Sequence, residues 1–232
     1  MRIAEKLYRL FFPFLTCCSC ARQAICTDEC LCSACAQELA EASLRMFIRS
    51  GHEVWVCAPY AGAAAGLVRR LKFHADREAG RIIGKFCIQA YRSIGRTYDL
   101  IAPAPLSRKR LRIRGFNQCV LFGKMISNAC GVQLQPRALY RVRDVKSQHE
   151  LGWRERFENA DHAFAAREAL VRGKTVLFLD DVFTSGATSD DCVRALLQAG
   201  AARVDVLCFA LAHQADARPR QHAASNGKAI KD

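Results

Sequence analysis

Two carboxylates stand side by side at Asp180 and Asp181, and their flanks suggest what they do. Val176-Leu177-Phe178-Leu179 precedes them as an apolar run, and Thr184-Ser185-Gly186-Ala187-Thr188 follows closely. The run reads as a buried strand, and the hydroxyl-rich piece as a turn into a helix. Carboxylates at the carboxyl end of such a strand lie where open α/β sheets bind their ligands. Exposed N–H groups at a helix start, with Gly186 permitting close approach, make a cradle for a phosphate monoester. Thr184, Ser185 and Thr188 can add hydroxyl donors. Asp180 and Asp181 would repel that phosphate, so they need another task. Accepting hydrogen bonds from vicinal ribose hydroxyls, or holding Mg²⁺, fits their chemistry. Together the two halves describe a site for a ribose 5-phosphate. Taken singly, Asp-Asp is also an ordinary turn and the rest an ordinary helix start. The joint pattern is what speaks for chemistry.

A second cluster is basic. Arg108, Lys109, Arg110, Arg112 and Arg114 place five cations in seven positions, after the apolar Leu100-Ile101-Ala102 and the turn Pro103-Ala104-Pro105. In a parallel sheet this basic loop opens on the same edge as Asp180 and Asp181. Residues 101–156 hold 12 basic and 3 acidic side chains, a local balance of +9 in a chain of net charge +13. Residues 157–232 hold 9 and 10, close to neutrality. A basic block of this kind suits a polyanion, either a pyrophosphate ester or a nucleic acid. The alternative is a solvated basic face with no partner.

A third cluster is made of cysteines. Seven of the 13 fall between Cys17 and Cys35. Cys17-x-x-Cys20 and Cys32-x-x-Cys35 are two knuckles separated by eleven residues, a spacing that brings four thiolates to one tetrahedral zinc ion. Four protein ligands leave no open position, so such an ion is structural or partner-binding rather than catalytic. A redox Cys-x-x-Cys and an iron–sulfur cluster are the competing readings, and Cys18, Cys26 and Cys30 are competing ligands. The remaining six cysteines, mostly in apolar runs, read as small buried hydrophobes. Clustering of this sort indicates a metal site in a reducing compartment rather than a secreted disulfide framework.

Elements must position these groups. Apolar periodicity predicts a helix near Ser33–Ile48, a strand at Val54–Ala58, and helices at Gly66–Phe73 and Ala79–Ile94. A strand and turn follow at Tyr98–Pro105, a helix at Phe116–Ala129 with Gly131 just beyond it, and a strand at Leu134–Tyr140. Arg141–Asn159 is long and polar, as functional loops often are. Thr175–Leu179 is a buried strand, Thr188–Ala199 a helix, and Arg203–Leu211 another buried strand. This alternation predicts an α/β domain over residues 51–213, behind a Cys-rich zinc-ribbon-like module at 1–50. A polar tail at 214–232 lacks apolar periodicity and reads as disordered. The apolar Leu10–Thr16 is interrupted by Pro13 and is too short for a signal-peptide core or a bilayer span. No membrane insertion and a cytoplasmic location are therefore expected.

The thirteen positions 176–188 resemble the phosphoribosyltransferase signature. In order, the chain also carries Cys pairs, Pro59-Tyr60, Leu71-Lys72-Phe73, Pro103-Ala104-Pro105-Leu106, Arg110, and Arg114-Gly115-Phe116-Asn117-Gln118. Gln148, Leu151, Arg156 and Asn159 continue the series in the polar loop. Over roughly residues 17–212 the sequence resembles the ComF family, competence-associated phosphoribosyltransferase-like proteins. The resemblance implies a type I phosphoribosyltransferase-like parallel sheet with helices on both faces and a zinc module. It implies 5-phosphoribosyl-1-pyrophosphate as ligand, with Mg²⁺, and adds Lys72 and Gln148 to the site. It also implies a loop at 142–152 closing over the site, and a role in DNA uptake with single-stranded DNA and a helicase-like competence protein as partners. In the family's usual form a glycine follows each cysteine pair; here Ala21 and Ala36 stand there. Arg108, Lys109 and Arg110 would then take pyrophosphate, and Thr184 to Thr188 the 5-phosphate. Nothing specifies an acceptor, so an active transferase and a donor-binding accessory of DNA uptake both remain open.

Overall fold

The computed structural model describes residues 14–26, 30–142 and 163–212. In chain order these form β1 (Phe14–Thr16), β2 (Gln23–Ile25), α1 (Ser33–Ala40), β3 (Arg45–Arg49), β4 (His52–Pro59), α2 (Gly62–His74) and α3 (Arg77–Ile94). Then come β5 (Leu100–Pro103), α4 (Arg108–Arg114), α5 (Gln118–Cys130), β6 (Gln133–Leu134), β7 (Leu139–Arg141) and β8 (Phe164–Ala166). The chain closes with α6 (Glu168–Val171), β9 (Thr175–Phe183), α7 (Ala187–Gln198) and β10 (Arg203–Leu211).

Among the described residues, six strands form one sheet in the order β3-β4-β10-β9-β5-β6. All neighbours pair in parallel except the edge pair β3–β4. Side chains alternate across a strand, and β9 feeds two cores. Leu177 and Leu179 pack with α2, α3 and α5 residues such as Leu71, Ile83 and Phe122. Val176 and Phe178 pack on the opposite face with Cys192 and Leu196 of α7. Helices thus cover both faces, and a central strand buried on both is uniformly apolar for that reason. The expected α/β class and mainly parallel sheet hold.

Local chemistry explains most boundaries. Asp76 caps α3, accepting from the N–H groups of Glu78 and Ala79, and Asn117 caps α5 through those of Cys119 and Val120. Gly131 ends α5 in the left-handed region at φ 76°. Three expectations are corrected. The helix near Ser33–Ile48 ends at Ala40, and Arg45–Arg49 is a strand instead. Ser50 (φ 47°) and Gly51 (φ 81°) supply the left-handed pair of a two-residue hairpin, turning β3 antiparallel onto β4. The strand at Leu134–Tyr140 is two short strands in different sheets, parted by a turn at Pro136 in which Ala138 N–H donates to the Gln135 carbonyl. The basic loop is the helix α4, because the Ser107 side chain accepts from Arg110 N–H and caps it.

The long polar segment leaves and returns at one place. β7 and β8 form an antiparallel ribbon, and Val142 N–H donates to the Ala163 carbonyl at 3.1 Å. Residues 143–162, with Gln148, Leu151, Arg156 and Asn159, lie outside the described residues, as does the tail from 213 onward. No helix among the described residues is long and apolar enough to cross a membrane.

Candidate ribose-phosphate site and metal centre

β9 runs through both carboxylates to Phe183, so Asp180 and Asp181 belong to the strand and the turn proper begins at Thr184. Asp181 is buried, and each of its two oxygens accepts one hydrogen bond. Lys72, near the end of α2, places Nζ 2.9 Å from Asp181 Oδ1. Gln118, the first residue of α5, donates through Nε2 to Oδ2 at 2.6 Å. Gln118 is itself held by Arg114 Nη1, which donates to its Oε1 at 3.1 Å. A relay therefore runs from the basic helix to the carboxylate. Arg114 was visible as a cation in a block; its inward role was not. Gln118 belonged to a motif without a role.

Asp180 is arranged differently. Its Oδ1 accepts from the Asp181 N–H at 2.8 Å and from the Cys119 thiol at 3.5 Å. Burial and then the neighbouring Asp181 charge push its carboxyl up to about 7. The ordinary value is 3.8, so between pH 3.8 and about 7 the folded chain holds a proton that the unfolded chain has lost. Stability accordingly falls as pH rises through that window. Asp180→Asn removes the penalty. It should stabilise the ligand-free protein by on the order of 1–3 kcal/mol at pH 8, and by less at pH 5. Melting curves at both pH values test this, and a variant no more stable than wild type at pH 8 contradicts it.

The turn carries Thr184, Ser185, Ala187 and Thr188 exposed, with Gly186 buried. Gly186 is the N-cap of α7 at φ 81°, in the region that favours glycine. Gly186 has no side chain to cap the helix; Ser185 Oγ accepts from Ala187 N–H at 3.5 Å, and the N–H groups that follow in the first turn are left to an anion. A Cβ at Gly186 would lie 2.3 Å from Arg49 Nε and 2.8 Å from Phe183. The positive φ favours glycine before any ligand is considered, and a Cβ would in addition displace the Arg49 side chain. Arg49 and Asp190, which it pairs with, were not singled out from sequence.

Lys109 and Arg110 of α4 are exposed, and Arg108 is half-buried. Beside α4 opens a groove of about 1080 Å³ with an apolar floor that includes Leu111, Phe116 and Val120. Arg77, Arg81, Arg114 and Lys124 also line it, and no acidic residue does among those described. Glu78 pairs with Arg81 at 2.6 Å nearby.

The cysteine centre takes shape at the β1–β2 hairpin and the start of α1. The Sγ atoms of Cys17, Cys20, Cys32 and Cys35 lie within 4.8 Å of one another and could hold a metal ion. Cys20 and Cys32 sulfurs are 3.8 Å apart; Zn–S bonds of about 2.3 Å in a tetrahedron give an edge of about 3.8 Å. Cys32 N–H points to Cys17 Sγ at 3.4 Å. Burial opposes ionisation of Cys17, yet N–H groups of Cys32, Cys20 and Ser19 bring it down to about 7. Burial pushes Cys35 up to about 12. The competing Cys18 and Cys26 are not in the set, and burial raises both thiols. Ala21, where the family's glycine would stand, takes φ 63° all the same, a left-handed conformation that costs a residue with a Cβ roughly 1 kcal/mol.

No family model matches the sequence. The DNA utilization protein YhgH of Escherichia coli strain K12 is 33% identical over 157 residues, covering 66% of this chain and 69% of that protein. Competence protein F of Haemophilus influenzae is 27% identical over 147 residues, covering 60% and 64%. Among solved structures, adenine phosphoribosyltransferase from Saccharomyces cerevisiae overlaps 78% of this chain and 90% of its own, at 15% identity and a TM-score of 0.42.

Proposed function

The chain belongs to the ComF family, and we propose that it binds 5-phosphoribosyl-1-pyrophosphate as an accessory of DNA uptake or processing. One observation carries the reading. A largely buried carboxylate, Asp180, follows the apolar run of a central strand six residues before Gly186, the N-cap of α7. Ribose hydroxyls, with Mg²⁺, would meet Asp180 and Asp181, and the 5-phosphate would meet Thr184 to Thr188. Magnesium prefers carboxylate and phosphate oxygens, and the carboxylates here match that preference. Bound Mg²⁺ would neutralise charge on the pyrophosphate. The protein's own part is to fix the sugar through the carboxylates, orient Asp181 through Lys72 and Gln118, and meet pyrophosphate with Arg108, Lys109 and Arg110.

The four-cysteine centre would hold zinc, which suits four thiolates, in a structural role. Single-stranded DNA is the proposed macromolecular ligand, with a helicase-like competence protein as a further partner. The cationic α4 and the acid-free groove beside it favour a polyanion with stacked bases. The second reading is an active phosphoribosyltransferase. It is favoured by the same carboxylates, since developing oxocarbenium charge at the sugar would be stabilised there.

Calorimetry with 5-phosphoribosyl-1-pyrophosphate, with and without Mg²⁺, tests the donor site, and binding should require the metal ion. Titration with a single-stranded oligonucleotide across salt tests the other half. Replacing Arg108, Lys109 and Arg110 by Ala should reduce the slope of log affinity on log salt by about 2, if each meets one phosphate. Salt-independent DNA binding would remove α4 from that role. Pyrophosphate release without any added acceptor would not count as transfer; a ribosylated product would establish the enzyme.

A further inference from the structure

The proposed phosphate site carries a charge that works against it. Asp190 lies in the first turn of α7, the helix whose N-terminus would take the 5-phosphate. An aspartate there suits an empty helix end but repels an anion bound beside it. Arg49, the last residue of β3, meets that carboxylate from 141 positions away. Its Nε lies 3.0 Å from Asp190 Oδ2 and 3.3 Å from Oδ1. The same guanidinium lies 5.7 Å over the Phe183 ring, and its Nε is the atom a Gly186 Cβ would strike. One side chain thus touches the acid, the strand end and the glycine on which the turn pivots. His52 also faces Asp190, with Nε2 at 3.8 Å from Oδ1, but burial lowers its pKa and disfavours a charge. The lasting compensation falls to Arg49.

We propose that Arg49 is a positioning residue for the phosphate turn: it neutralises Asp190 and braces Gly186, so that Thr184–Thr188 presents donors to a phosphate without a competing carboxylate. This rests on the ribose-phosphate reading above. It also gives the antiparallel edge hairpin β3–β4 a task, since the hairpin delivers Arg49 to a turn on the far side of β10.

Charge rescue in the full chain tests it, with ribose 5-phosphate as the calorimetric probe. Arg49→Ala should weaken binding about tenfold, the scale of one charge at a helix terminus. Arg49→Lys should retain most of the affinity. The double variant Arg49→Ala with Asp190→Asn should regain most of it, because no carboxylate is left to neutralise. A structural brace alone would not be rescued by removing Asp190. A double variant as weak as Arg49→Ala, or an Arg49→Ala protein that binds like wild type, overturns the proposal. Should Arg49→Ala fail to fold, Asp190→Asn alone decides, since it should bind ribose 5-phosphate more tightly than wild type; weaker binding overturns the proposal. Wild-type protein that ignores ribose 5-phosphate sinks the ribose-phosphate reading itself, whereas the preceding arms sink Arg49 alone.

Discussion

Cys32→Ser protein should contain almost no zinc, against about one ion per wild-type chain by elemental analysis. Its donor affinity should fall with its stability. The packing explains why the damage spreads. Cys17, Cys18, Leu31, Cys35 and Leu39 belong to the same apolar cluster as Leu177 and Leu179 of β9. The first knuckle lies directly on α2: Ser19 Oγ donates to the Ala63 carbonyl at 2.9 Å, and a Cβ at Gly66 would lie 2.6 Å from the Ser19 carbonyl oxygen. Glu38 of α1 accepts from Ala63 N–H at 2.9 Å. α2 is the helix that carries Lys72 to Asp181. Structural zinc is worth on the order of 10 kcal/mol in small zinc domains, comparable with a whole domain's stability. Metal loss should therefore lower the melting temperature by 10 °C or more, and loosen Lys72 with it. Cys18→Ser, outside the ligand set, should keep its zinc. Stoichiometric iron with visible absorbance would overturn the zinc assignment. Unchanged donor affinity in zinc-free protein would show that the core alone holds α2.

What could be read from the sequence follows the range of the interactions involved. The apolar run of β9 and the paired knuckles are local patterns, and each appears where periodicity or spacing places it; the caps at Asp76 and Asn117, equally local, set helix starts that apolar periodicity alone does not mark. The hairpin at Ser50-Gly51 was also local but was overridden by the helical look of Ala/Glu/Leu ahead of it. Helix α4 was missed because five cations in seven positions look like a loop until Ser107 is recognised as a cap. Contacts across the fold left little trace. Lys72 and Asp181 are 109 positions apart, Cys119 and Asp180 are 61 apart, and Arg49 and Asp190 are 141 apart. Cys119 read as a small buried hydrophobe, which it is by burial, yet its thiol donates to Asp180. Only a family resemblance pointed to Lys72, since one lysine at the end of a helix has no local mark of a partner.

Lys72→Met and Asp181→Asn should each cost about 3 kcal/mol of stability, while the double variant should cost less than either alone. The pair is largely buried, with 21% and 8% of the two side chains exposed. Removing Lys72 leaves a buried carboxylate held, among the described residues, by Gln118, and removing the Asp181 charge leaves the Lys72 ammonium without its direct ion-pair partner. Either state leaves one member of the ion pair without the other, whereas the double variant removes both. The Asp181 change thus lowers stability where Asp180→Asn raises it, although the two residues are adjacent and chemically identical. Their environments make the difference: Asp181 pairs directly with Lys72, whereas Asp180 has a thiol, a backbone N–H and a like charge beside it and feels Lys72 as a lesser influence. Donor affinity adds an independent measure. If Asp181 meets the ribose, the double variant recovers stability but stays on the order of tenfold or more weaker for 5-phosphoribosyl-1-pyrophosphate. Strictly additive stability losses would show that Lys72 and Asp181 are not coupled. A stable double variant with wild-type donor affinity would make Asp181 an architectural residue and leave Asp180 alone to hold the sugar.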